Sequence, residues 1–83
     1  MKPTIGRIVV YKTTEEQRKR MQKQQDLGIS INVQEELPAI VVAVWGETCV
    51  NLKVITDGKE DLWVTSALKG DMQGNWEFPL INK

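Results

Sequence analysis

Histidine is absent from this chain of 83 residues, which removes the commonest general base and every nucleophile pair built on imidazole. Imidazole-rich metal sites go with it. The carboxylates come as neighbours, Glu15-Glu16, Glu35-Glu36 and Glu60-Asp61, and adjacent acids on a helix or loop are ordinarily solvated surface. Cys49 is the single cysteine. It lies in a strand-like run with no cation beside it in sequence, the setting of a buried, inert thiol. Alone it cannot staple the chain to itself, and no set of Cys and His has metal-ligand spacing. No catalytic residue, metal or cofactor is expected, so the chain reads as a binding protein and not as an enzyme.

What the chain holds in surplus is aromatic and apolar surface. Trp45, Trp63 and Trp76 all fall in the second half, and the run Pro38-Ala-Ile-Val-Val-Ala-Val-Trp45 offers apolar side chains to both faces of a strand, where one-sided packing would alternate. Period-two bookkeeping puts Val50, Leu52 and Val54 on one face with Leu62 and Val64, as core. Cys49, Asn51 and Lys53 then share the other face with Trp63 and Thr65. If Ile40, Val42 and Val44 point inward, Val41, Ala43 and Trp45 point out beside them.

A face that is partly aromatic and partly hydrogen-bonding suits a pocket or a specific interface. For a nucleotide-like ligand, Trp45 and Trp63 are the stacking candidates, Asn51, Thr65 and Ser66 the hydrogen-bonding ones, and Arg7, Arg18 and Arg20 the phosphate contacts. Each has a plainer role too. Trp63 can cap an open barrel end, Thr65 and Ser66 can serve a turn, and Arg18-Lys19-Arg20 with Lys23 can be a solvated helix face balanced by Glu15 and Glu16. Trp76 stands open between core and site, with core the favoured role.

The elements that must position these residues follow from composition. Ile5 to Tyr11 predicts a first strand. Residues 13–28 then read as a helical insertion: Thr13 or Thr14 caps it, Glu15 and Glu16 suit its first turn, Glu15–Lys19 and Glu16–Arg20 pair at i,i+4, and Gly28 stops it. Its span holds only Met21 and Leu27 as apolar residues, too few for a broad buried face. Ile29 to Val33 alternates as a short edge strand would. Three strands follow, Ala39 to Trp45, Thr48 to Thr56 and Leu62 to Ser66, joined by Gly46-Glu47 and a turn at Asp57-Gly58-Lys59. A last short strand spans Asn75 to Phe78, ended by Pro79. The expectation is a mainly β single domain over residues 1–83: a small SH3-like barrel or curved antiparallel sheet of about five strands, with one polar helical insertion.

At this size a single core barely outweighs chain entropy, so a homo-oligomer is expected as extra support. Eleven cationic and eleven anionic side chains cancel, which disfavours a general nucleic-acid coat. No long apolar run follows Lys2, so neither a secretory signal nor a membrane span is expected, and the cytoplasm is the default location.

The run from Pro38 to Trp45, then Val50-Asn-Leu-Lys-Val54, Leu62-Trp-Val-Thr-Ser66 and Gly74-Asn-Trp-Glu-Phe-Pro79, resembles a largely uncharacterised family of small phage and prophage proteins. The opening Lys2-Pro-Thr-Ile-Gly-Arg-Ile-Val9 is similar to that family's start. Members often carry a histidine after the first strand's valine and a Trp-His-Trp-Pro-Glu ending; here Val10 precedes Tyr11 and the ending is Trp76-Glu-Phe-Pro79. The resemblance implies a viral accessory protein. By analogy with phage anti-defence proteins that sequester cyclic nucleotides, the leading expectation is a homo-oligomeric protein, in the host cell cytoplasm, that binds a nucleotide-like defence signal. The alternative is an adaptor or inhibitor that grips a host protein through an aromatic SH3-like surface.

Overall fold

β-branched residues crowd the strands and turn residues mark their ends, and the computed structural model, which describes residues 2–79, follows that punctuation. The elements are β1 (Ile8–Lys12), α1 (Glu15–Asp26), β2 (Glu36–Val44), β3 (Cys49–Val54), β4 (Leu62–Leu68) and β5 (Trp76–Glu77). All pairings between these strands are antiparallel, in the order β4-β3-β2-β1-β5. The sheet curls into a half-barrel. A parallel bridge between Lys69 and Trp76 draws the end of β4 toward β5. No helix among the described residues is long and apolar enough to cross a membrane.

Every strand sends residues into one buried cluster: Val9 and Tyr11 from β1, Leu37, Ala39 and Val41 from β2, Val50, Leu52 and Val54 from β3, Ala67 from β4 and Trp76 from β5. Leu62 and Val64 pack against it, as their parity predicts. Trp76 is fully buried, and its indole N–H is aimed at the carbonyls of Thr48 and Ala67, 3.2 and 3.1 Å away. It is core. A large ring with its one donor satisfied fills the interior without a polar penalty.

The insertion is a helix held by its ends. Thr14 is the N-cap: its hydroxyl accepts from the Gln17 N–H while the Gln17 side chain accepts from the Thr14 N–H, a capping box. Gly28, at φ 85°, supplies the left-handed residue that stops it. Met21 alone is buried from α1, and it joins the common cluster. The Gln17 Oε1 also accepts from the Tyr11 hydroxyl, which fastens the helix start to the core end of β1.

Three expectations need correction. Ile29 to Val33 is not a strand; it makes a single bridge, Asn32 with Asp57 in the connection from β3 to β4. Ile31 is buried and Val33 packs on the core, but Ile29 is exposed. The alternation is real, yet the segment lies against the turn of Gly58, where an added Cβ would come within 3.0 Å of Ile31, and offers the sheet no further partner. β1 starts at Ile8 and not at Ile5, because Gly6, at φ 91°, lies in a turn that the Arg7 N–H closes on the Thr4 carbonyl. Finally, the inward set of β2 opens with Leu37, Ala39 and Val41, and Ile40 and Val42 face out. The register with β3 shifts between Val41 and Ala43. Past that bulge the parity flips, so Ala43 aligns with Asn51 and Val44 with Val50.

Candidate functional site

The residues left on the outer face of the sheet form a patch with an ordered middle. Pairing register lines up Ile8 on β1, Ile40 on β2, Lys53 on β3 and Trp63 on β4 in one row across four strands. Ile55 and Pro38 sit one row away, tied by the Ile55 N–H to the Pro38 carbonyl, and Val42 lies on the other side. Trp63 is 64% exposed and Trp45 65%. With Trp76 already filling the interior, neither is needed there.

Asn51 organises this face. β2 and β4 each carry a bulge beside it, between Val41 and Ala43 on one side and opposite Val50 to Leu52 on the other. A bulge leaves backbone groups without a ladder partner. The Asn51 Oδ1 supplies one: it accepts the Ser66 N–H at 2.8 Å and, from across the strand, the Trp45 indole N–H at 2.9 Å. Ser66 takes φ 52°, a left-handed conformation costing roughly 1 kcal/mol for a non-glycine residue. The asparagine thus repays a local distortion and fixes the indole of Trp45 against the sheet.

Of the expected site residues, the structure brings together Trp45, Asn51, Thr65, Ser66 and Trp63. Thr65 and Ser66 are exposed beside Asn51. The three arginines lie elsewhere. Arg18 donates to the Thr13 carbonyl at 2.6 Å and to its hydroxyl at 3.0 Å. That is beyond the Lys12–Glu36 pair at the start of β2, whereas Trp45 follows the end of β2, up to about 30 Å of strand away. Arg20 is paired with Glu16, and Lys19 with Glu15, on the exposed side of α1. The guanidinium of Arg7 stands over the Phe78 ring at 5.5 Å, and Phe78 meets Trp76 edge-on at 5.2 Å, inside the core neighbourhood. Burial and that ring keep Arg7 off the outer face.

Lys53 is the cation that sequence reasoning left out of the site. It is exposed, directly across from Trp63, and makes no ion pair among the described residues. Its parity with Asn51 was readable; its alignment with Ile40 and Trp63 depends on register, which bulges alter. Cys49 departs from expectation as well. It is half-buried at the edge of β3, opposite Leu68.

The two exposed indoles do not form a clamp. The Trp45 backbone N–H donates to the Cys49 carbonyl and Trp63 pairs with Lys53, so their backbone positions are roughly 16 Å apart, from about 3.3 Å per residue and 4.8 Å per strand. Rings interact directly only within roughly 7 Å. They are corners of a broad patch.

Among the described residues no group of three or more His, Cys, Asp or Glu side chains could hold a metal ion. No family model matches the chain, and neither a curated protein nor a solved structure matches it.

Proposed function

We propose that the chain is a non-catalytic binding module whose outer sheet face docks onto a polypeptide. The observation that carries this is the pair of tryptophans, both about two-thirds exposed, on a face also lined by Ile8, Ile40, Val42 and Ile55. Exposed aromatics separated by roughly 16 Å suit two anchors entering separate depressions of a protein surface, the pattern of interface hot spots. In a phage accessory protein the partner is a host protein, which the module blocks or recruits.

Sequestration of a nucleotide-like signal is the second reading. It draws on one observation, the Trp45 indole held beside the Asn51 amide, a stacking surface next to a group able to pair with a base edge. Its phosphate contacts would need cations other than Arg7, Arg18 and Arg20. Affinity capture from host lysate with wild-type protein and a Trp45→Ala/Trp63→Ala variant tests the first reading: a defined protein retained in stoichiometric amount by the wild type alone is expected. Equal retention by both refutes it. Calorimetric heat with a cyclic di- or trinucleotide, lost in Trp45→Ala, transfers the case to the second.

A further inference from the structure

We infer that the polypeptide taken by this face carries a carboxylate beside a bulky apolar side chain, and that Lys53 is the residue that selects it. The inference rests on the docking reading above and names the chemistry of the partner.

Lys53 sits in the middle of the apolar patch. Ile40 and Trp63 flank it across the sheet and Ile55 follows two residues along on the same side. The other cations of the described residues are engaged or lie outside this row: Lys2 with Glu47, Lys12 with Glu36 and Glu77, Lys19 and Arg20 with the first helical turn, Arg18 with Thr13, Arg7 and Lys69 over Phe78, and Lys23 and Lys59, without ion pairs, on α1 and in the connection from β3 to β4. Any surface that covers Trp63 and Ile40 together must take water from the ammonium between them. A desolvated charge without a counter-charge opposes binding, and one that meets a hydrogen-bonded carboxylate becomes a specificity element. A wholly apolar partner is therefore disfavoured, and a basic one repelled. A single cation at the centre is too few for a nucleic-acid backbone, whose binding draws on many phosphate contacts. One acidic side chain next to an aliphatic or aromatic one matches the face.

Panning a random peptide library displayed on phage against the immobilised protein tests this, with Lys53→Glu and Trp63→Ala run in parallel and thermal melts confirming that both variants fold. Wild type is expected to enrich peptides with Asp or Glu within a few residues of a Leu, Phe or Trp. Synthetic versions should bind Lys53→Glu at least about tenfold more weakly, and Lys53→Glu should itself enrich Lys or Arg at the same place. Peptides that need Trp63 but show no acidic bias, or bind Lys53→Glu unchanged, overturn the selection role and leave the docking face standing. Enrichment of peptides indifferent to Trp63 and Trp45 overturns the docking reading itself. Sedimentation of the wild type as a dimer that Trp63→Ala dissociates gives the face to a second copy of the chain, and overturns both.

Discussion

Replacing tryptophan by phenylalanine at position 76 and, separately, at position 63 makes one chemical change in two environments that the structure sets far apart. Trp76 is fully buried and its N–H is shared by the carbonyls of Thr48 and Ala67. Thr48 keeps the Lys69 N–H at 2.9 Å as a partner and Ala67 stays paired with Val50 in the ladder, so the loss falls chiefly on the indole's own hydrogen bonds and on the space left by the smaller ring. The lost buried hydrogen bonding and a partly collapsed cavity together cost about 2–4 kcal/mol. For 83 residues the total stability is about 4–12 kcal/mol, so Trp76→Phe removes a large share. With an unfolding entropy of about 2.1 cal/mol/K per residue, 3 kcal/mol corresponds to a fall of roughly 17 °C in the melting midpoint. Trp63 is 64% exposed, and the same change there should cost less than about 0.5 kcal/mol, or about 3 °C. Thermal and urea unfolding followed by circular dichroism measure both. If Trp63→Phe lowers the midpoint as far as Trp76→Phe, the indole at 63 is sheltered by its own chain and the outer face is not a free surface.

Asn51→Leu should cost about 1 kcal/mol by stripping the Ser66 and Trp45 N–H groups of their acceptor, and should shift Trp45 emission to the red; Asn51→Asp, which keeps the acceptor, should restore both in urea melts and fluorescence. Thr14→Ala is expected to lose about 1 kcal/mol from the helix cap, with Thr14→Ser recovering most of it in the same unfolding assay. Burial pushes the Tyr11 phenol above its ordinary value, so folding favours the protonated form: that contribution is intact below about pH 10 and fades as pH climbs from there through the raised value. Unfolding midpoints taken at intervals above pH 9 should fall more steeply for wild type than for Tyr11→Phe; equal slopes refute it.

Much of the fold was readable because the signals were local. The capping box at Thr14 and Gln17, the stop at Gly28, the hairpin turn at Gly46-Glu47 and the strict alternation of Val50, Leu52 and Val54 each need only a few neighbouring residues, and each is where the sequence puts it. β2 misled at its start because Pro38 to Val44 is apolar at nearly every position, so parity had nothing to contrast; the bulge after Val41 then made the outward placement of Ala43 correct for a reason the alternation does not contain. Site residues divided along the same line. Trp45, Asn51, Lys53 and Trp63 share a face by strand parity, whereas the alignment of Lys53 with Ile40 and Trp63 depends on cross-strand register. The arginines could not be placed because a cation on a surface helix has no pattern linking it to a distant strand, and here Thr13 and Glu16 engage Arg18 and Arg20.

The pairing of Tyr11 with Trp76 joins partners separated by 65 positions in the sequence (76 − 11). On the ribosome the first strand must wait with one flank bare until that distant segment has emerged, and the indole that seals the interior arrives with it. Intermediates made before that moment carry an open interior, which makes them substrates for chaperones and makes slow codons between the two segments a hazard to yield.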